Sequence, residues 1–196
     1  MKQNKFNKKF IYLISPNKIN YKFYKDLNTV LKTNKISFFQ MRFKKYSMNQ
    51  KILIGKKIKQ ICKKNNVKFI VNDEPLITKK LNADGCHLGQ KDIDIIEARR
   101  IIGNKIIGVT CHNSKSLAKI AIKDKVDYLA FGSFNKSQLK PDAKKAELKI
   151  LNWAKKNTRK PIVAIGGINN LNYKRLIRAG AKYIAISSYI WDNPKL

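Results

Sequence analysis

The sequence predicts a (β/α)₈ TIM barrel, compact and with a truncated or missing final helix, on three observations. Short apolar or β-branched runs recur along the chain, eight in all. They are continuous rather than alternating, as strands buried on both faces are. Between them lie longer lysine-rich segments with apolar residues at helical spacing. Strand and helix in alternation require parallel pairing through right-handed crossovers. An open flavodoxin-like sheet would need only about five strands, so eight units favour closure.

The first run is FIYLIS at 10–15, after the basic stretch MKQNKFNKK. Its apolar part is shorter than the roughly 7–15 residues of a signal-peptide core, so it reads as a strand. SFFQMR at 37–42 is the second run. The segment MNQKILIGKKIKQICKK that follows puts Ile54, Ile58, Ile61 and Cys62 on one helical face. VKFIVN at 67–72 and GCHLGQ at 85–90 are the third and fourth. IDIIEARRII then repeats the helical pattern. IIGVTC at 106–111, DYLAFG at 127–132 and PIVAIG at 161–166 continue the series. LNYKRLIRAG is again helical, with Gly180 as its C-cap. YIAISS at 183–188 is the eighth run, and only Tyr189 to Leu196 follow, too few for a full closing helix. No linker or low-complexity tract interrupts the pattern. Residues 1–196 are therefore expected to form one barrel domain.

Composition narrows the classes. The 196 residues carry 43 Lys+Arg against 12 Asp+Glu, a net charge of +31. A hydrophobic fraction of 43% excludes a disordered basic tail. No apolar run approaches the roughly 18 residues that span a bilayer. The charge has two readings. One is a nucleic-acid binder that releases counterions from phosphates. The other is a solvated lysine coat, favoured because only 6 of the 43 cations are Arg, the better reader of phosphates and bases. The cysteines, Cys62, Cys86 and Cys111, are odd in number and widely spaced, with no CxxC. They read as reduced, buried thiols of a cytoplasmic protein rather than as a zinc site or a disulfide framework.

In this fold the site lies at the C-terminal ends of the strands. Those ends read Gln40-Met41-Arg42-Phe43-Lys44, Asn72-Asp73, His87 to Asp92, Thr110-Cys111-His112-Asn113, Gly132-Ser133, Gly166-Gly167 and Ser187-Ser188. Arg42 and Lys44 can face one anion, and a fork plus a point charge suits a phosphate or pyrophosphate. The alternative is a solvated basic loop. Asp73 and Asp92 follow adjacent strands and can hold Mg²⁺ together with substrate phosphate oxygens. The alternative is a pair of helix N-caps. Gly166-Gly167 with Ser187-Ser188 match the phosphate site this fold often builds after its last two strands. The alternative for the glycines is a tight turn. His87 reads as a packed strand residue, whereas His112 is open between packing and lining the pocket. No Ser–His–Asp triad or activated Cys is suggested.

These segments resemble the thiamine-phosphate synthases. The resemblance runs through Gln40–Lys44, IVND (70–73), GCHLGQKD (85–92), IIGVTCHN (106–113), DYLAFGSF (127–134), PIVAIGGI (161–168) and YIAISSYI (183–190), in order over essentially the whole chain. HLGQxD with a late AIGGI is a specific combination, and the related thiazole tautomerases share part of it. The resemblance implies a Mg²⁺-dependent transferase of thiamine biosynthesis. It would join 4-amino-2-methyl-5-hydroxymethylpyrimidine diphosphate to 4-methyl-5-(2-phosphoethyl)thiazole, giving thiamine phosphate and pyrophosphate. It implies Arg42, Lys44 and Asn72 on the pyrophosphate and Asp73 and Asp92 on the metal. It puts Gln40 on the pyrimidine side, Thr110 near the reacting groups, and Gly167, Ser187 and Ser188 on the thiazole phosphate. The family's P-T-x-T-K loop after the sixth strand is here Lys136-Ser137-Gln138-Leu139-Lys140. Ser137 keeps a hydroxyl and Lys140 the charge, while Leu139 lacks the second hydroxyl. The chemistry implied is dissociative: pyrophosphate leaves, and the thiazole nitrogen captures the pyrimidine methylene cation. The alternatives are a thiazole tautomerase-like or degenerate synthase paralogue, in which His112 would be the acid/base, and more distantly a basic nucleic-acid-binding barrel. The expected partners are two phosphorylated small molecules, with no specific nucleic acid and no membrane. A homo-oligomer is left open.

Overall fold

Runs of Ile, Val, Phe and Tyr favour extended backbone, and continuous runs need cover on both faces. A computed structural model, describing residues 9–135 and 145–193, meets both needs by closure. Eight parallel strands pair in sequence order: β1 (Ile11–Ile14), β2 (Ile36–Met41), β3 (Lys68–Asn72), β4 (Gly85–Leu88), β5 (Ile106–His112), β6 (Tyr128–Phe131), β7 (Ile162–Ile165) and β8 (Tyr183–Ile186). β1 bonds to both β2 and β8, which closes the ring. All eight sequence runs are strands, as predicted. Most end earlier than the runs do: Gly89, Gln90, Gly132, Gly166 and Ser187 have left the ladder for the loops of the mouth.

The helices α1 (Phe23–Lys32), α2 (Met48–Lys64), α3 (Pro75–Lys80), α4 (Ile95–Ile102), α5 (Lys115–Lys123), α6 (Leu148–Asn157), α7 (Tyr173–Arg178) and α8 (Ser188–Trp191) alternate with the strands. α2 starts on a capping box: Ser47 Oγ accepts the Gln50 N–H, and Gln50 Oε1 accepts the Ser47 N–H. Its predicted face packs inward, with Ile54, Ile58 and Cys62 buried and Ile61 half-buried. The final helix is truncated to one turn. In place of a longer helix, Trp191 packs against Phe23 and Phe39, and its Nε1–H donates to the Ile14 carbonyl at 2.6 Å.

Burial forms two layers. Outward strand residues such as Leu13, Phe39, Met41, Phe69 and Val71 pack against α1–α3, and β4–β8 pack likewise against α4–α7. The barrel interior is separate, built from Tyr12, Ile14, Ile70, Tyr128, Ala130, Val163 and Ala185. Gly108 belongs to this interior for a steric reason: a Cβ there would lie inside the Tyr128 ring.

The opposite, N-terminal end is held by short polar links. Asn34, Asn66, Asn82 and Lys125 take positive φ just after α1, α2, α3 and α5, turning the chain into the next strand. Gly180 does the same after α7, at φ 121, one residue beyond the C-cap Ala179. Asp84 accepts the Phe69 N–H and the Lys68 ammonium, each at 2.9 Å. Asp127 accepts the Ile107 N–H and Arg99, each at 2.8 Å. The three cysteines are buried and unpaired, and burial pushes the Cys86 and Cys111 thiols up to about 12. Among the described residues no helix is long and apolar enough to cross a membrane.

Candidate active site

A cavity of about 700 Å³ opens at the C-terminal ends of the strands. Every predicted site residue that is described lines it: Gln40, Arg42, Lys44, Asn72, Asp73, Asp92, Thr110, His112, Gly167, Ser187 and Ser188. Ser137 and Lys140, with Lys136 and Leu139, lie outside the described residues.

One side of the mouth is ionic. Lys44 Nζ lies 3.4 Å from Asp73 Oδ2, with Arg42 on the same strand end. Asp73 sits at φ 65, a left-handed conformation that Asp tolerates better than most residues. Its N–H donates to the His87 carbonyl at 2.8 Å, fixing the carboxyl at the joint of β3 and β4. Burial pushes that carboxyl up to about 6, and the hydrogen-bonding Asp92 carboxyl adds to the rise while Lys44 opposes it. Asp92 Oδ2 in turn accepts the Gly89 N–H at 2.6 Å. The N-cap reading of these two residues is corrected. Glu74 holds the N-cap position of α3, and Asp94 caps α4 by accepting the Glu97 N–H at 2.8 Å. Asp73 and Asp92 are thus left facing each other in the cavity. Among the described residues no third His, Cys, Asp or Glu joins them.

Across the ring of strands the described lining is neutral. Gly166 and Gly167 take φ 106 and 55. Gly166 is required by space as well as by angle, because a Cβ there would strike Ser133 Oγ. Ser187 Oγ donates to the Ser15 carbonyl at 3.1 Å, and the Arg42 N–H donates to Ser15 Oγ at 2.9 Å. Ser15, 2% exposed, therefore ties the end of β1 to both halves of the mouth. Sequence reading missed it, since it looked like the last residue of an apolar run.

The floor is polar. Gln40 and His87 are buried yet reach the cavity. His87 is packed, as predicted, but it also lies 2.8 Å from both Tyr128 OH and Thr110 Oγ1. Gln90 Nε2 holds the Thr110 carbonyl at 2.6 Å. His112, the open case, lines the cavity at φ 50. Ile14, Ile165, Ile168 and Ile186 supply apolar wall to the cavity.

Fold and site together define a (β/α)₈-barrel enzyme with its reaction centre at the C-terminal mouth. The sequence model of the Thiamine monophosphate synthase family matches residues 11–190, and the chain belongs to that family. It is 61% identical over 196 residues to a thiamine-phosphate synthase of Pelagibacter ubique, covering 100% of this chain and 95% of that protein. It is 39% identical over 188 residues to that of Erythrobacter litoralis, covering 93% and 88%. Among solved structures, thiamine phosphate pyrophosphorylase from Pyrococcus furiosus superposes with a TM-score of 0.83 at 30% identity, covering 94% of this chain and 88% of that one.

Proposed function

We propose that this chain is a Mg²⁺-dependent thiamine-phosphate synthase. It joins 4-amino-2-methyl-5-hydroxymethylpyrimidine diphosphate to 4-methyl-5-(2-phosphoethyl)thiazole, releasing pyrophosphate. The observation that carries this reading is the facing pair Asp73 and Asp92, with Lys44 at 3.4 Å, set across the cavity from Gly167 and Ser188.

Each part has a role that its chemistry fits. Arg42, Lys44 and Asn72 hold the pyrophosphate, Arg through its fork and Lys as a point charge. Two hard carboxylates suit Mg²⁺, which takes its remaining ligands from water and phosphate oxygens. When bound there, Mg²⁺ supplies charge neutralisation to the leaving group. Gln40 orients the pyrimidine ring from the floor. Gly167, Ser187 and Ser188 take the thiazole phosphate, which aims the ring nitrogen at the carbon that loses pyrophosphate. The carbon–oxygen bond breaks first, and its electron pair leaves with the pyrophosphate. Arg42 and Lys44 stabilise that developing charge, so no protein nucleophile is needed. The same reading assigns Thr110 to the reacting groups and gives Ser137 and Lys140, which lie outside the described residues, a role on the phosphates.

The test is a coupling assay with both substrates, with and without Mg²⁺. Thiamine phosphate forms only when the metal is present. No product above background refutes the reading. A thiazole tautomerase is the second reading, favoured by His112 on the cavity wall. It predicts that His112→Gln stops tautomerisation, and it gives the carboxylate pair no task.

A further inference from the structure

The floor of the cavity continues into the barrel as an unbroken chain of hydrogen bonds. Gln40 Nε2 donates to Tyr12 OH at 3.2 Å. Tyr12 OH and Tyr128 OH are 2.8 Å apart. Tyr128 OH meets His87 Nδ1 at 2.8 Å, and His87 Nε2 meets Thr110 Oγ1 at 2.8 Å. Five strands contribute one residue each. Both ends, Gln40 and Thr110, line the cavity, while Tyr12 and Tyr128 are 2% and 3% exposed.

Such a chain has direction. Burial raises both phenols well above their ordinary pKa, so each stays protonated and has one proton to give. An amide NH₂ only donates. With Gln40 donating to Tyr12, the Tyr12 proton is satisfied by donation to Tyr128, and the Tyr128 proton by donation to His87 Nδ1. The imidazole then carries its proton on Nε2 and donates it to Thr110 Oγ1. The Thr110 hydroxyl proton is left for the cavity. If Gln40 instead turned its carbonyl to Tyr12, every step would reverse, and Thr110 would give its proton to His87.

We infer that Tyr12, Tyr128 and His87 are positioning residues that fix the Thr110 hydroxyl as a hydrogen-bond donor, in a direction set at Gln40 on the far side of the cavity. The amide that receives the pyrimidine thus decides what the reacting centre is offered. The kinetic consequence rests on the synthase reading above; the hydrogen-bond direction does not.

The test therefore has two arms. The first is ¹⁵N NMR of His87 in the substrate-free protein at pH 8, where two histidines make assignment direct. The wild type shows the Nε2–H tautomer. Tyr12→Phe, which removes a hydroxyl that does not touch His87, raises the Nδ1–H population. An Nδ1–H or mixed wild type, or a Tyr12→Phe spectrum identical to wild type, overturns the inference. The second arm is kinetic. Tyr12→Phe and Tyr128→Phe each lower kcat about tenfold, the scale of one lost hydrogen bond, with KM for both substrates within about twofold. Adding Tyr128→Phe to Thr110→Val costs nothing further, because the chain acts through Thr110. Additive losses overturn the inference. A fixed tautomer in a protein that makes no thiamine phosphate would leave the chain standing and refute the function instead.

Discussion

The two ends of this barrel treat charge in opposite ways. At the N-terminal end two carboxylates, Asp84 and Asp127, each have a partner and a task. Both pair with a cation and latch a backbone N–H near the start of the neighbouring strand. At the C-terminal end two carboxylates face each other, and one is held up to about 6. Positive φ divides the same way. At the N-terminal end it serves helix termination, at Asn34, Asn66, Asn82 and Lys125; at the mouth it falls on Asp73 and His112, which line the cavity. At the mouth the unfavourable backbone falls on residues that line the cavity, where strain is often kept for function. One end is arranged for stability and the other for binding.

The sharpest way to break that contrast is to change a mouth carboxylate. Asp92→Asn keeps an acceptor for the Gly89 N–H but removes the charge. Turnover should fall by about two to three orders of magnitude with an unchanged circular dichroism spectrum. Near-normal turnover would remove Asp92 from the reaction. The converse change at the other end is Asp127→Ala. It leaves the Ile107 N–H without its acceptor and Arg99 with only its backbone carbonyl contacts, and should cost about 1–3 kcal/mol in urea unfolding. Turnover per folded molecule should hold, and a fall in it would merge the two ends into one functional unit.

A smaller effect tests the strain itself. A carboxyl raised above its unfolded value destabilises the fold once ionised, so its cost is full above about pH 6, shrinks as pH falls from there, and is gone only below the ordinary carboxylate value. In metal-free protein, Asp73→Asn should therefore raise Tm at pH 8, and the gain should shrink toward pH 5. A lower Tm at pH 8 would mean that Asp73 is favourable as an anion even without a metal. The smallest effect should come from the exposed Lys149–Glu147 pair, 2.6 Å apart with side chains 76% and 55% exposed. Lys149→Ala should change stability by less than about 0.5 kcal/mol.

The strands were legible because a run buried on both faces is continuously apolar. The mouth was legible because this fold puts its site at strand ends, so Arg42, Asp73 and Asp92 could be named from position. What stayed hidden follows from the same continuity. A run without alternation does not say which residues face the barrel interior. Tyr12 and Tyr128 therefore read as core, and His87 as packing. Their link depends on inter-strand register, in which His87 pairs with Gly108 and Gly108 with Tyr128. The N-cap ambiguity had a local signal that was passed over. In Asp73-Glu74-Pro75 the proline takes the first helical position, which makes Glu74 the cap residue and frees Asp73.

The one-turn α8 has a mechanical consequence. Where β8 meets β1, an aromatic clasp stands in for a helix: the Trp191 indole bonded to Ile14 and packed on Phe23 and Phe39. The β1–β8 ladder that closes the ring is covered there by side-chain packing at one point, and its amides should be the first to exchange with solvent. The chain has two tryptophans, and the other, Trp153, lies on α6. Fluorescence of a Trp153→Phe protein would therefore watch the zipper of the barrel and little else.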